Sequence, residues 1–186
     1  MVYVALLRGI NVGGNNKVDM KLLKETFLQI GMESVITYIN SGNVVFIDRK
    51  HAKAEISSLL EQAILRDFNL NIKVLILSID DFEPMMKILP PAWKNDAEMK
   101  CDVLFLWEEA AKETIYSQLE IKSNIDTVMY SPGVILWSVD KSNVTRSGLL
   151  KIVGTALYKK MTVRNVNTTR KIYEIMQSVR DTDLNE

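Results

Sequence analysis

Cysteine and histidine are nearly absent from this chain. The single cysteine, Cys101, excludes an internal disulfide and any multi-cysteine metal centre. The single histidine, His51, leaves a zinc site short of ligands, and with no G-x-S-x-G motif it leaves no basis for a serine-hydrolase triad. His51 itself follows Asp48-Arg49-Lys50 at the start of a helical pattern, where a surface role is expected. Only 8 glycines and 4 prolines occur in 186 residues, so collagen-like and low-complexity character are excluded. No apolar run approaches the length of a membrane-spanning helix. The apolar run Val2–Leu7 is interrupted by Arg8 and Gly9, too short and too early for a signal peptide, so a cytoplasmic location is expected.

Net charge is also lacking, with 23 basic and 23 acidic residues. The balance hides a segregation. Between Lys141 and Lys171 there are eight basic residues and no acidic one, and residues 1–24 carry Arg8, Lys17, Lys21 and Lys24 against Asp19 alone. A field of this kind steers anions.

What is present is 47% hydrophobic residues arranged in short β-branched runs and helical stripes. Val2–Leu7, Val35–Ile39, Val44–Ile47 and Val74–Ile79 read as strands. Between them, Asp19 caps a helix bearing Leu23, Phe27 and Ile30, and a second helix runs from about His51 to Phe68 with Ile56, Leu60 and Ile64 on one face. The order β-α-β-β-α-β is the ferredoxin-like, or α/β, plait. It recurs as a strand at Val103–Trp107, a helix at Glu108–Leu119, a hairpin of Val128–Tyr130 and Val134–Val139, a helix at Leu149–Leu157 and a strand at Met161–Asn165. Each copy is followed by one more helix, with Asp80 and Asn167 as the expected caps, and Val74–Ile88 aligns without gaps on Met161–Ile175. The expected fold is therefore α+β, two tandem ferredoxin-like repeats with βαββαβ order, each with an extra helix. The first repeat with its helix occupies residues 1–91, a linker 92–100, and the second repeat with the C-terminal helix 101–186.

Val2–Leu7, Val74–Leu77 and Val103–Trp107 are apolar throughout rather than alternating, which predicts sheets buried on both faces. That argues against an open-sheet RNA-binding domain. It also requires a cover for the second face, supplied by the extra helices, the other repeat or a homo-oligomeric partner through sheet or helix faces.

Two loop clusters carry candidate chemistry. Arg8-Gly9-Ile10-Asn11-Val12-Gly13-Gly14-Asn15-Asn16-Lys17 leaves the first strand and enters the Asp19 helix. Glycines admit positive φ and close backbone approach, and successive N–H groups favour anions. The stretch matches no nucleotide-binding glycine motif. In a plait the first two strands are parallel, so this loop and the hairpin turn Asn40-Ser41-Gly42-Asn43 should meet at one sheet edge. Arg8, Asn11, Gly13, Gly14, Lys17, Asn40, Ser41 and Asn43 are the candidate ligand contacts there. The second cluster, at the start of the last helix, offers Arg164, Asn165, Asn167, Thr168 and Arg170, with Arg164 as a bidentate clamp. Turn and cap chemistry alone would explain the same residues.

Leu6-Leu7-Arg8-Gly9-Ile10-Asn11-Val12-Gly13-Gly14, Met20 and Thr37-Tyr38-Ile39-Asn40-Ser41-Gly42-Asn43-Val44-Val45-Phe46 resemble a family of bacterial proteins designated domain of unknown function 1697. Thr162-Val163-Arg164-Asn165-Val166-Asn167-Thr168 is similar to that family's C-terminal motif, with Val166 where the family often has Trp. The resemblance implies tandem α/β plaits in a cytosolic bacterial protein. It supplies no activity, cofactor or catalytic residues, and neither cofactor nor metal is expected from the residues. The functional expectation is a binding module for an anionic ligand, a nucleotide or nucleic-acid phosphate, with no membrane partner. The alternatives are an enzyme acting on a small phosphorylated or carboxylated substrate, and a non-catalytic oligomeric scaffold.

Overall fold

The computed structural model describes residues 1–111 and 113–185. The fold is α+β, with two four-stranded antiparallel sheets and several helices. By contact the chain divides into two compact units, Met1–Phe82 together with the chain from Ile172 onward, and Glu83–Lys171.

The first unit contains β1 (Val2–Leu7), α1 (Met20–Gln29), β2 (Glu33–Tyr38), β3 (Asn43–Ile47), α2 (Lys53–Phe68) and β4 (Val74–Ser78), with the sheet ordered β2-β3-β1-β4. Register is fixed by pairs such as Val4↔Val45 and Ala5↔Ile76. Side chains alternate across a strand, so Tyr3, Ala5 and Leu7 share one face with Val44, Phe46, Val74 and Ile76. Leu23 and Phe27 of α1 and Ile56, Leu60 and Ile64 of α2 pack on it, with Phe27 edge-on to Phe46 at 5.4 Å. The opposite face carries Val2, Val4, Leu6, Val45 and Ile47, all at most 3% exposed. Both faces are thus buried within a single chain, and no second copy is needed to cover them.

The structure begins α3 (Ile79–Ile88) two residues earlier than a cap at Asp80 implies. Its cap is Ser78 rather than Asp80. Asp81 N–H donates to Ser78 Oγ at 3.2 Å while Ser78 N–H donates to the Asp81 carboxylate at 2.7 Å, a reciprocal box.

The second unit contains β5 (Met99–Leu106), β6 (Asp126–Ser131), β7 (Val134–Asp140), α4 (Gly148–Ile152) and β8 (Met161–Asn165), with its sheet ordered β6-β7-β5-β8. Here the helices depart from expectation. Glu108–Leu119 forms 3₁₀ turns at Glu108–Ala110 and Glu113–Gln118, the first ended by Ala111 at a non-helical ψ of 47°. The second expected helix lasts only through α4. Val153 turns out of the helical region at ψ 128° and Gly154 sits at φ 87°, which ends the helix before Leu157. Ile115, Leu119, Leu149 and Ile152 still reach the core against Leu104, Ile135 and Trp137. The apolar spacing therefore predicted burial correctly and helix type incorrectly.

The last helix, α5 (Val166–Leu184), is capped by Asn165 and not by Asn167: Thr168 N–H donates to Asn165 Oδ1 at 2.8 Å. The unit boundaries fall inside α3 and α5, whereas the sequence reading assigned each helix whole to one repeat. From Ile172 on, α5 belongs with the first unit, where Tyr173 stacks on Phe82 at 6.3 Å and Asp183 pairs with Arg49. No helix among the described residues is long and apolar enough to cross a membrane.

Candidate functional site

Beyond β1 the backbone makes a miniature hairpin. Asn11 N–H donates to Asn16 O at 3.1 Å and Asn15 N–H to Val12 O at 3.1 Å, closed by Gly13 at φ 59° and Gly14 at φ 81°. Two consecutive positive φ angles define the type I′ turn, which explains the glycine pair. Asn11 to Lys17 are largely solvent-facing, and the chain returns to the core at Val18.

Asn11 holds this loop. Its Oδ1 accepts Val18 N–H at 2.8 Å, and its Nδ2 donates to Val18 O at 3.0 Å and to Asn40 O at 2.9 Å. One side chain thus closes the loop and ties it to the turn after β2. A second tie is backbone to backbone, Leu7 N–H to Gly42 O at 2.8 Å. The two bends do meet at one sheet edge, as the parallel orientation of β1 and β2 requires.

Between them lies an open recess of about 680 Å³, lined by Asn11, Gly14, Lys17, Val18, Asp19, Met20, Lys21 and Asn40. Asp19 caps α1, its Oδ1 accepting Lys21 N–H at 2.7 Å and Leu22 N–H at 3.3 Å. Lys17 and Lys21 form no ion pair, and the Asn40 side-chain amide has no hydrogen-bond partner, among the described residues. Two lysines thus flank a carboxylate that already satisfies the first N–H groups of α1, which argues against an anion docked directly on that helix start.

Of the residues expected here, Asn11, Gly14, Lys17 and Asn40 line the recess; Arg8, Gly13, Ser41 and Asn43 do not. Asn43 is fully buried, and its amide donates to Tyr38 O and Ser41 Oγ at 3.0 Å each, so it builds the turn. Sequence reasoning missed Lys21. The available signal was its place two residues after the cap, in the helical turn that faces the loop.

The second cluster is engaged with the protein's own backbone. Asn167 clasps Asn95, with Nδ2 to Asn95 O at 2.9 Å and Asn95 N–H to Asn167 Oδ1 at 3.2 Å. Arg170 donates to Trp93 O at 2.6 Å and Pro90 O at 2.8 Å. Arg164 is 8% exposed and donates to Thr162 Oγ1 at 2.9 Å and Val163 O at 2.8 Å; burial pushes its guanidinium down to about 10. Asn165 caps α5 and Thr168 is buried beneath that cap. These contacts hold the Pro90–Asn95 segment and the start of α5.

Elsewhere, His51 Nδ1 lies 2.9 Å from buried Asp48, whose carboxylate also accepts the Lys50 and His51 N–H groups. Cys101 is buried against Ser138 Oγ at 3.1 Å, and burial pushes its thiol up, away from reactivity. Among the described residues no group of three or more His, Cys, Asp or Glu could hold a metal ion.

The sequence profile of the family described as "Protein of unknown function (DUF1697)" matches residues 1–137. The chain belongs to this family. The matched span contains the whole recess, while Thr162–Thr168 lies beyond it. Among solved structures, this DUF1697 chain is similar to the conserved bacterial protein SP0830 from Streptococcus pneumoniae, with 30% identity and a TM-score of 0.81 over 94% of this chain and 98% of that one. No curated protein matches.

Proposed function

We propose that the protein is a binding module for a phosphate-bearing ligand, a nucleotide or nucleic-acid phosphate, seated in the recess beside α1 on the first of two tandem ferredoxin-like plaits. The plait reading is supported by the identical strand order of the two sheets. Tandem duplication is supported by β4 and β8, whose bounds lie 87 positions apart at both ends. The cap residues Ser78 and Asn165 fall at the same spacing.

The binding reading rests on one observation: Lys17 and Lys21, without ion-pair partners among the described residues, line a recess of about 680 Å³. A surface lysine free of a carboxylate keeps its full attraction for a diffusing anion. The second cluster adds nothing to this proposal, since its amides and arginines hold backbone. The recess includes Asp19 as a cap and no histidine, so binding is better supported than proton-transfer chemistry.

Titration with a short single-stranded oligonucleotide at several salt concentrations tests this. Two phosphate contacts predict a roughly tenfold loss of affinity between about 50 and 200 mM salt. Lys17→Ala and Lys21→Ala should each weaken binding about three- to tenfold and flatten the salt slope, with thermal stability within about 0.5 kcal/mol of the parent because both residues are at the surface. Salt-insensitive binding, or lysine variants that bind like the parent protein, removes the proposal.

A further inference from the structure

The recess contains more than an anion requires, and the additional groups fall into a pattern. This inference rests on the phosphate-binding reading above. Asp19 is the first such group. Its Oδ1 is occupied by the two capping N–H donors, and its Oδ2 has no hydrogen bond among the described residues. A carboxylate oxygen repels a phosphate but accepts hydrogen bonds from a vicinal diol, the role that an acidic residue plays toward ribose hydroxyls in dinucleotide folds. Asn40 is the second. Its side-chain amide offers one donor and one acceptor with no hydrogen-bond partner among the described residues, the pair that matches the adenine N7 and N6 edge. Met20 is the third. Its thioether, 4.0 Å from Asn11 Nδ2, presents a polarisable surface of the kind that packs on aromatic rings.

Extent points the same way: the recess is open to solvent, and its lining runs from Asn11 through Lys21 to Asn40, broader than a single inorganic anion touches. Cations for a phosphate, a carboxylate for a diol, an amide for a base edge and a thioether for a base face are the parts of one ligand class. We infer that the recess is built for an adenine ribonucleotide. Lys17 and Lys21 hold its phosphate, Asp19 its ribose hydroxyls and Asn40 its base.

Calorimetric titration of the full chain with AMP, dAMP and ribose 5-phosphate at low salt tests each assignment. AMP should bind about tenfold more tightly than dAMP, the worth of one charge-assisted hydrogen bond. It should exceed ribose 5-phosphate by a similar factor. Asp19→Asn keeps the cap, since Asn and Asp cap equally well, so the variant should fold as before. It should lose the preference for AMP over dAMP while still binding phosphate. Asn40→Ala should bring AMP down to the level of ribose 5-phosphate. Equal affinity for all three ligands, or Asp19→Asn and Asn40→Ala variants that discriminate like the parent, overturns the nucleotide inference while leaving phosphate binding intact. Failure of all three ligands to bind overturns the phosphate reading beneath it as well.

Discussion

Gly148→Ala should destabilise the protein by about 4 kcal/mol or more, the largest effect expected of any single methyl group in this chain. A Cβ on Gly148 would lie 1.9 Å from the carbonyl oxygen of Glu120 and 2.7 Å from its carbon, and both atoms are backbone. The neighbour cannot swing away as a side-chain terminus would. Gly148 is pinned on its other side, because its N–H donates to Asp126 Oδ2 at 3.0 Å. The same carboxylate accepts Ser147 Oγ at 2.5 Å and Lys122 N–H at 2.8 Å. Burial pushes Asp126 up, but the hydrogen bonds from Ser147, Lys122 and Gly148 outweigh it and hold the carboxyl below its usual range. Moving Gly148 to relieve the clash therefore disrupts a buried charge network. Urea denaturation measures the loss. Gly154→Ala is the control: it adds a methyl at φ 87° into open space and should cost only about 1–2 kcal/mol.

Gly42→Ala should cost about 3 kcal/mol and weaken the recess at the same time. Gly42 has φ 76°, and a Cβ there would meet Leu7 Cβ and Ile10 Cδ1 at 2.8 Å each. The left-handed backbone accounts for about 1–2 kcal/mol and the overpacking for about 1–3. Gly133 separates the two contributions. It has nearly the same φ, 77°, with nothing within 4 Å of a Cβ, so Gly133→Ala should show the backbone cost alone. Thermal denaturation of the two variants side by side gives the difference. Leu7 and Ile10 begin the loop that Gly42 O anchors through Leu7 N–H, so displacing them moves Asn11 from Asn40. Oligonucleotide affinity should fall in Gly42→Ala and stay unchanged in Gly133→Ala.

The sequence was informative where a single physical cause acts alone. The unbroken apolar run Val2–Leu7 meant a strand buried on both faces, and it is one. Asp19 before a helical stripe meant a cap, and its Oδ1 holds two N–H groups. The α+β class was legible because short β-branched runs bounded by turn residues alternate with helical stripes. Helix type in the second unit was not. Ile115 reaches the core from a 3₁₀ segment and Leu119 from the bend just after it, so a spacing of four marked burial without marking an α-helix, and the backbone leaves helical angles at Ala111 and Val153. The two loop clusters looked alike as lists of amides and cations. They differ in what the side chains reach. Asn167 and Arg170 find backbone partners in the Pro90–Asn95 segment, about 70 to 80 residues upstream, and no local pattern reveals such a partner. Asn11 has a mixed role: it ties the recess together and also lines it. Gly148 drew no attention at all, because its neighbour Glu120 is remote in sequence.

Amide chemical shifts of the isotope-labelled full chain, followed as AMP is added at low salt, test the central claim most directly. Binding where the two bends meet should move the backbone amides of Gly13, Gly14, Lys17 and Asn40 and leave those of Asn165, Asn167 and Arg170 in place. Perturbations centred on Arg164–Arg170, or a spectrum that AMP does not change, would contradict it.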